Sequence, residues 1–512
     1  MGLSGQFTSH LPIVSINTSG QAIPEDDPRI KAWMGVIDNG EGSPNHLSDP
    51  FNDYDGRISI ELRGASSLMF PKNNFSLETQ DSTGANLNVP LMGFPEENDW
   101  VLHGPYSDKT LMRNVLTMGL ANDLGAYASR TRFCELFLND NYRGVYVLME
   151  KIKRDKNRVD IASLDADDLD GDSLTGGYVI KIDWYEGRDQ GWTSDYSEEE
   201  INFAYHHPSA DRLEPEQKQY IKNYVSDFEE TLAGSGFKNE ETGYSKYIHT
   251  ESFIDYFIMN EFSRNVDGFS ISVYLHKERD SRGGLLRMGP VWDFNLAYGN
   301  QYEGGFWSPE GWVRDHWLDP VPFWWDRLLE DPAYTEALNC RWQALRSELL
   351  SLDRVHGLID VYAEEMGPAV ERNFERWDIL GEEIWPNYYV EDTYEEELER
   401  LKWWIAKRVD WLDRNMPGAC PGLGEEIIMK ELNVSLFPNP SSGRFMVEIG
   451  GGNSESKTIE ILDMRGRVVN FRHLPAGYGS LEEFDLSDTA PGLYLIRVQQ
   501  GQDGLTRKLL IN

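Results

Sequence analysis

The character of the sequence changes at Cys420-Pro421-Gly422-Leu423-Gly424, a turn-forming stretch that predicts a linker. Beyond it come short runs of alternating apolar and polar residues separated by turns, at 444–449, 457–462, 493–498 and 506–511. Such alternation is typical of strands that bury one face. We therefore predict a linker at 419–431 and a small all-β sandwich over 432–512.

The longer part of the chain, before this linker, predicts an α+β fold. Strand-like segments lie at 11–18, 32–38, 57–63, 74–80, 133–138, 144–150 and 176–183, with a hairpin turn at 139–143. Helical patterns lie at 108–124, where Asp108 is the expected N-cap, and at 214–232, 250–264, 322–329, 334–349, 355–375 and 395–415. A strand-rich lobe thus precedes a helix-rich lobe, with 1–50 as a strand-rich extension of the first lobe and 51–418 as the main body. The cleft between two such lobes is the usual place for a ligand.

The charge of the chain argues against two classes of function. It has 48 Lys and Arg against 86 Asp and Glu, a formal net charge of −38, and 431–512 accounts for only −2 of it (eight basic, ten acidic residues). Binding to nucleic acid or to anionic membranes needs a basic face, so both are disfavoured. A hydrophobic content of 40% with 16 Trp indicates that the chain folds all the same.

The cysteines and the chain ends give weaker indications. The three cysteines are odd in number and form no Cys-x-x-Cys pair, which predicts neither a disulfide framework nor a structural zinc site. No apolar run approaches 18 residues, and the first residues lack the basic and apolar regions of a signal peptide. Either the protein is cytoplasmic or its signal peptide has been removed.

The common catalytic motifs are absent: the sequence has no G-x-S-x-G, no H-E-x-x-H and no Walker G-x-x-x-x-G-K-[ST]. The acidic loop 165–172 resembles a calcium loop, but the EF-hand register puts Ala166 and Gly177 where carboxylates are needed. We therefore favour a solvated acidic loop there over a calcium site.

Two segments indicate chemistry. In the first, 61–77, a Gly/Ser turn lies between two strands and Lys72 opens the second strand. In the second, Asp267 follows a helix and Asp293 follows the next strand, predicted at 285–288. Two acids framing a hairpin can share a divalent cation. With a lysine from another lobe, they provide what phosphoryl transfer needs: charge neutralisation, a metal ligand and a group that orients the acceptor.

These segments also resemble the CotH (spore coat protein H) kinase family. The similarity rests on five motifs in order over about 50–415: Arg63-Gly64-Ala65-Ser66-Ser67 with Phe70-Pro71-Lys72, Asp108-Lys109-Thr110-Leu111-Met112-Arg113-Asn114, Leu138-Asn139-Asp140-Asn141-Tyr142-Arg143-Gly144-Val145-Tyr146, Asn265-Val266-Asp267, and Val291-Trp292-Asp293-Phe294-Asn295-Leu296-Ala297-Tyr298-Gly299. The resemblance implies a two-lobed, atypical protein-kinase-like fold. It also implies transfer of phosphate from ATP to protein Ser or Thr hydroxyls.

The resemblance assigns provisional roles. Lys72 contacts the ATP phosphates, and the helix carrying Arg113 and Asn114 packs beside it. The strand end at Met149 and Glu150 forms the hinge that holds adenine. Asp267 acts on the acceptor hydroxyl, and Asp293 binds Mg²⁺, with Mn²⁺ or Ca²⁺ as alternatives.

Two features qualify this assignment. The family commonly has a second Asp two residues after the metal-binding one, and Asn295 stands there in this chain. Its carbonyl can bind Mg²⁺ but brings no charge, which weakens the metal site. Because an acidic body repels ATP, the nucleotide pocket must be locally basic, and Lys72, Arg63 and Arg113 are the residues expected to make it so.

The C-terminal part resembles the type A sorting domain of the Bacteroidetes type IX secretion system. The similarity rests on Leu436-Phe437-Pro438-Asn439-Pro440-Ser441-Ser442-Gly443, 461–469, 490–498 and Thr506-Arg507-Lys508-Leu509-Leu510. It implies export by that machinery and attachment to the outer-membrane surface or release. A signal peptide is then required, so we expect the given sequence to be trimmed at its start.

Two functional hypotheses follow. The first is a secreted, Mg²⁺-dependent protein Ser/Thr kinase of the CotH type that uses ATP. The second is a catalytically weak or inactive kinase-like fold acting as a surface binding or adhesion protein. In the second, sugar rings would stack on the aromatic residues Phe306, Trp307, Trp312, Trp317, Trp324 and Trp325. These aromatics equally fit a loop that caps the helical core, which is the interpretation we favour.

Overall fold

The structure is a computed structural model, which describes residues 7–25, 27–40, 42–184, 190–197, 200–315, 318–421, 433–441, 443–450, 456–464, 467–474, 481–487, 489–500 and 503–511. The chain divides into two compact units, 1–418 and 419–512. The first unit is mixed α+β, and the described part of the second is built from strands.

A closed seven-stranded barrel forms the beginning of the first unit. The strands here are β1 (Thr8–Ser9), β2 (Ile13–Asn17), β3 (Ile30–Ile37), β4 (Asn45–His46), β5 (Tyr54–Arg63), β6 (Asn74–Gln80), β7 (Val89–Leu91), β8 (Phe94–Glu97), β9 (Asp99–His103), β10 (Thr131–Leu138) and β11 (Asn141–Glu150). The barrel order is β10-β11-β9-β6-β5-β3-β2, and β2 closes it by pairing in parallel with β10. The predicted extension 1–50 therefore contributes two strands of the barrel.

Alternation along the strands separates two cores. Cys134 and Leu136 of β10 point into the barrel with Tyr146 and Leu148 of β11. The residues between them face outward and join the core of the helical part; they are Phe133, Val145, Val147 and Met149. Since side chains on a strand alternate between its two faces, one hairpin serves both cores.

The rest of the first unit is a helical part with a second sheet. Its helices, with α1 inserted between β9 and β10, are α1 (Arg113–Asp123), α2 (Gly171–Leu174), α3 (Pro215–Ala233), α4 (Thr250–Ser263), α5 (Trp324–Leu329), α6 (Pro332–Ser347), α7 (Leu352–Met366), α8 (Ala369–Arg376) and α9 (Tyr394–Asn415). Its strands are β12 (Tyr178–Ile182), β13 (Gly191–Thr193), β14 (Asn202–His207), β15 (Val273–Lys277) and β16 (Leu286–Met288). They form an antiparallel sheet in the order β13-β14-β12-β15-β16.

Two helix predictions need correction. The helix predicted from Asp108 begins at Arg113, because the Asp108 carboxylate accepts a hydrogen bond from the Arg113 backbone N–H at 2.9 Å from outside the helix. The helix predicted over 355–375 is two helices, α7 and α8. They are separated at Gly367, which has a positive φ of 44°, a conformation that favours glycine.

One glycine of strand β11 fixes how α8 meets the barrel. Gly144 in β11 has a φ of 93°, and a Cβ there would lie 2.4 Å from Oδ1 of Asn373 in α8. That oxygen accepts a hydrogen bond from the Val145 backbone N–H at 3.1 Å. A side chain at position 144 would push α8 away from the strand.

The second unit contains two antiparallel sheets around one core. Its strands are β17 (Asn433–Phe437), β18 (Arg444–Gly450), β19 (Lys457–Asp463), β20 (Val468–Leu474), β21 (Leu481–Asp485), β22 (Gly492–Gln500) and β23 (Asp503–Ile511). The sheets are β17-β18-β21 and β20-β19-β22-β23. Val447 and Phe484 from the first sheet lie in the same buried cluster as Ile461 and Ile496 from the second. The C-terminal region is β-rich, as predicted.

The cysteine prediction is also corrected. Cys340 and Cys420 are disulfide-bonded, whereas Cys134 is a free, buried thiol inside the barrel. An odd number of cysteines excludes complete pairing but not a single bond. A disulfide is typical of proteins that meet an oxidising compartment. Within the described residues, no helix is long and apolar enough to cross a membrane.

Candidate functional site

Asp267 lies in the turn that follows α4. The helix ends at Ser263, and the next residue, Arg264, adopts a left-handed conformation (φ 47°) and turns the chain. At the next position after Asp267, a Cβ on Gly268 would lie 2.4 Å from the Asn260 Oδ1. The hydroxyl of Tyr256 donates to the Gly268 carbonyl at 2.8 Å. The backbone that presents Asp267 is therefore fixed against α4.

Asp293 lies in the loop that follows β16. It has a positive φ of 65°, an uncommon conformation for a residue other than glycine. The next residue, Phe294, is fully buried, and its backbone N–H donates to Oδ1 of Asn114 on α1 at 2.6 Å. Helix α1 thus anchors the loop that carries Asp293.

Asp267 and Asp293 form a pair of partly buried carboxylates. Burial and repulsion by Asp293, Asp319 and Asp183 raise the pKa of Asp267 to about 8. The pKa of Asp293 is also raised, first by burial and then by repulsion from Asp183, while the charge of Arg63 lowers it. Among the residues that the structure describes, neither carboxylate accepts a hydrogen bond. Two acids held together without donors favour a cation between them.

The pair fits a hard divalent cation but does not enclose one. Carboxylate oxygens are the ligands that Mg²⁺ prefers, and Mg²⁺ usually keeps several waters or takes phosphate oxygens besides one or two carboxylates. In the described residues, no three His, Cys, Asp or Glu side chains are arranged to hold a metal ion. A cation at Asp267 and Asp293 would therefore need oxygens from a bound ligand or from water.

Arg63 brings a positive charge from the barrel to this pair. It is the last residue of β5, and its guanidinium lies 5.3 Å from the centre of the Trp292 ring, next to Asp293 in sequence. Within the described part of the chain it makes no ion pair. The predicted residues Arg63, Asp267 and Asp293 are thus brought together, from a barrel strand and two loops of the helical part.

Lys72 lies in a different environment. Its ammonium is buried and donates to the Pro105 carbonyl at 3.0 Å and to Oδ1 of Asn373 at 2.8 Å. Burial, only partly offset by the charge of Asp108, holds its pKa well below the usual value. The structure therefore places Lys72 where the barrel meets α8. Its contacts differ from those of the carboxylate pair.

Arg113 has a positioning role in the structure. Its guanidinium pairs with Asp108 at 2.5 Å and donates to the Ala297 carbonyl at 3.1 Å, in the loop after Asp293. The side chain is almost fully buried. Arg113 and Asn114 thus both hold the Asp293 loop in place through hydrogen bonds with its backbone.

The two predicted hinge residues do not join the others. Met149 is buried in the core, and β11 is paired on both sides there, with Thr131 and Val101 as partners. The Glu150 carboxylate forms a bidentate pair with Arg130 at 2.7 and 2.9 Å. Strand pairing and this ion pair occupy the groups that the hinge prediction assigned to adenine.

Asn295 is partly buried in the Asp293 loop, and its carbonyl accepts from the Asn300 side chain at 2.8 Å. That carbonyl belongs to the backbone. Within the described residues the side-chain oxygen of Asn295 has no hydrogen-bond partner, so its predicted role as a metal ligand stays a prediction.

The sequence prediction missed two acids of this site, Asp183 and Asp319. Both repel Asp267, and Asp183 also repels Asp293. Asp183 directly follows β12, which pairs with β15 next to the Asp267 turn. An acidic residue directly after a buried strand is the sequence signal that could have identified Asp183 as part of the site. Asp319 lies in a loop without a recognisable pattern.

The aromatic run and the acidic loop have structural roles. Phe306, Trp324 and Trp325 are buried in the helical core, which fits the capping interpretation, and Trp317 lies outside the described residues. In the acidic loop, Asp168 pairs with Arg279 at 3.4 Å and Asp172 accepts hydrogen bonds from Ser281. These acids bind neighbouring side chains of the same unit.

The fold and the site define a mixed α+β protein with a closed barrel and a carboxylate pair suited to a divalent cation. Residues 60–412 match the family model described as CotH kinase protein. This match covers well over half of the chain, which therefore belongs to the CotH kinase protein family.

The second unit has its own match. Residues 435–512 match the model described as secretion system C-terminal sorting domain. The match indicates a secreted or cell-surface protein that uses the type IX secretion machinery. A search of curated proteins found no significant match.

Two solved structures show limited similarity. A DUF3244 family protein with an immunoglobulin-like β-sandwich fold, from Bacteroides vulgatus, is 17% identical. The alignment covers 16% of this chain and 95% of that chain, with a TM-score of 0.14. An engineered protein is 15% identical, with 32% and 36% covered and a TM-score of 0.13.

Proposed function

We propose that this protein is an exported, CotH-type protein kinase. It transfers the γ-phosphate of ATP to Ser or Thr hydroxyls of secreted or surface proteins, and it depends on Mg²⁺. The observation that carries the proposal is the pair Asp267 and Asp293, which accepts no hydrogen bond from the described residues, together with the nearby Arg63, whose charge favours the ionised form of Asp293. Family membership supports the same assignment.

In this proposal the fold is a two-lobed, kinase-like one. The barrel is the first lobe and the helical part the second, and ATP binds where Arg63 from the barrel approaches the Asp293 loop. A chain with a net charge of −38 repels ATP in general, so a local cation at this point matters for nucleotide binding. Mn²⁺ and Ca²⁺ are alternative cations.

In this proposal each residue of the site has its own role. Asp293 and the side-chain oxygen of Asn295 hold the cation, and Arg63 contacts the phosphates. When bound, Mg²⁺ neutralises phosphate charge and orients the transferred group. Asp267 accepts a hydrogen bond from the acceptor hydroxyl and takes up its proton, for which a pKa of about 8 is favourable near neutral pH.

In this proposal Lys72 is a weaker phosphate ligand than Arg63, because its ammonium is buried and already donates to the Pro105 carbonyl and Asn373 Oδ1. Arg113 acts as a positioning residue through Asp108 and Ala297. We therefore expect Arg63→Gln to raise the KM for ATP more than Lys72→Met does.

The test uses the purified full chain with γ-labelled ATP and Mg²⁺ or Mn²⁺. The acceptors are the protein itself and the proteins of the culture medium. We expect labelling by the wild type and loss of at least 100-fold in Asp293→Asn and Asp267→Asn, the usual scale for removing a charged group that acts in the transition state. The matched control is Asp378→Asn, which neutralises an exposed aspartate in the same unit.

Three results would overturn the proposal. The wild type could label neither itself nor any protein of the medium. ATP with Mg²⁺ could fail to shift its thermal unfolding. Asp378→Asn could lose activity as Asp293→Asn does, which would point to a general effect of charge.

A further inference from the structure

Lys151 lies where the barrel leads into the helical part. It directly follows β11, whose Met149 faces the helical core. Since side chains on a strand alternate between its two faces, we expect Lys151 on the same outer face as Met149. The next residue, Ile152, is buried in an apolar cluster against which Trp292 packs. Through Ile152, the chain at Lys151 is thus joined to the residue that precedes Asp293.

Hydrogen bonds fix the backbone at this point. The Lys151 carbonyl accepts from Nη1 of Arg158 at 2.8 Å. The Ile152 carbonyl accepts from Nε2 of His206, on β14 of the helical part, at 2.8 Å. The Lys151 side chain therefore starts from an ordered backbone, and a ligand that binds it does not have to order this part of the chain.

The Lys151 ammonium has no partner among the residues that the structure describes. Its side chain is half-buried, yet its Nζ makes neither a hydrogen bond nor an ion pair there. The two acids whose charges act on it, Asp99 and Glu78, are already paired with other cations. Asp99 pairs with Lys153 at 2.6 Å, and Glu78 pairs with Arg29 at 2.9 Å. Neither acid provides Lys151 with an ion pair of its own.

Arg63 adds a second positive charge to this region. Burial lowers the pKa of Lys151; the charge of Asp99 opposes this effect, and the charge of Arg63 adds to it. A half-buried ammonium near a guanidinium is costly unless an anion compensates both charges. Because the charge of Arg63 also acts on Asp293, such an anion would lie next to the carboxylate pair.

We propose that Lys151 is a phosphate ligand of bound ATP and shares the triphosphate with Arg63. This inference deepens the proposed function and rests on it. An ammonium has three N–H donors for phosphate oxygens, and such charge-assisted bonds are stronger than neutral ones. Lys72, by contrast, is buried and already donates to two oxygens of the protein. Two cations at one point also offset the repulsion of ATP by a chain with a net charge of −38.

The experiment measures binding of ATP in the presence of Mg²⁺ by the purified full chain, separately from phosphate transfer. Calorimetry gives the Kd of the wild type, Lys151→Met and Lys151→Gln. We expect both variants to raise the Kd for ATP about tenfold or more, because they remove charge-assisted bonds. Lys156→Met, which neutralises an exposed lysine of the same segment, is the matched control and should bind ATP like the wild type.

Thermal unfolding without ATP separates this role from a structural one. Because Lys151 makes no ion pair within the described part of the chain, its removal leaves no acid without a partner. Lys151→Met and Lys151→Gln should therefore unfold at the temperature of the wild type or above it. Two substitutions are used so that poor packing of one new side chain does not decide the result.

The outcomes distinguish this inference from the function on which it rests. A wild type that binds no ATP would overturn both. A wild type that binds ATP, with an unchanged Kd in Lys151→Met and Lys151→Gln, would overturn the inference alone, as would an equal loss in Lys156→Met. A lower unfolding temperature of both variants without ATP would assign Lys151 a structural role and would also overturn it.

Discussion

Neutralising Asp267 should stabilise the metal-free protein at alkaline pH. The carboxyl has a pKa of about 8 in the folded protein, against an ordinary value of 3.8. A carboxyl with a raised pKa contributes stability in full below its unfolded pKa, and that contribution is lost as the pH rises through the folded value. The wild type should therefore lose stability between about pH 4 and pH 8, and Asp267→Asn should lose less.

The magnitude follows from the shift. Four pKa units at about 1.4 kcal/mol each give an upper bound of about 6 kcal/mol for the cost of the charged carboxylate. The side chain is only partly buried, so solvent relaxation reduces this cost. We expect Asp267→Asn to be more stable than the wild type by about 2–4 kcal/mol at pH 9, and equal to it near pH 4.

The assay is urea unfolding in EDTA at pH 4, 7 and 9, followed by tryptophan fluorescence. All 16 tryptophans precede residue 419, so this signal reports on the first unit alone. Mg²⁺ at 100 times its Kd should stabilise the wild type by about 2.7 kcal/mol and leave Asp293→Asn, which lacks the proposed charged Mg²⁺ ligand, unchanged. A stability difference between the wild type and Asp267→Asn that is the same at all three pH values would refute the reasoning, as would equal stabilisation of the wild type and Asp293→Asn by Mg²⁺.

Three further predictions concern the first unit. Burial raises the pKa of Glu229 to about 7 from 4.5, so Glu229→Gln should be about 3 kcal/mol more stable than the wild type at pH 9 and equal to it at pH 4; a pH-independent difference in urea unfolding would contradict this. Asp108→Ala leaves the buried Arg113 without its partner and should cost about 3–5 kcal/mol; an unchanged thermal midpoint would show that the pair is not needed. Gly144→Ala forces a Cβ to within 2.4 Å of the Asn373 Oδ1 at a positive φ and should cost more than about 1 kcal/mol; wild-type stability in the same assay would contradict it.

Local patterns in the sequence predicted most elements of the fold. The hairpin turn with Asn139 and Asp140 is present, and both residues have positive φ values of 49° and 60°, as a type I′ turn requires. Helices α3, α4 and α9 lie within a residue or two of their predicted bounds. These segments could be predicted because their apolar periodicity and end signals are all local.

Long-range pairing could not be predicted in the same way. The parallel pairing of β2 with β10 joins strands that are more than 100 residues apart in sequence. The sequence of neither strand indicates which strand it pairs with. Strands β9, β13, β14 and β15 were among those that the sequence prediction missed, because they show no clear alternation of apolar and polar residues over a full strand.

The site was predicted only in part for the same reason. Asp267 and Asp293 stood out because motifs surround them, and Arg63 belongs to the first of those motifs. The buried, hydrogen-bonded position of Lys72 depends on Asn373, which follows it by about 300 residues. A single lysine at the start of a strand looks the same in sequence whether its ammonium is buried or free.

The closure of the barrel has a consequence for dividing this chain into pieces. The family match begins at residue 60, within β5, yet β2 and β3 precede it and complete the ring. A fragment that starts at residue 60 would leave β10 and the remainder of β5 with open backbone edges and would uncover the apolar barrel interior. Such edges invite pairing between molecules. A fragment of this kind should aggregate, whereas one that begins before Ile13 keeps every strand of the ring paired.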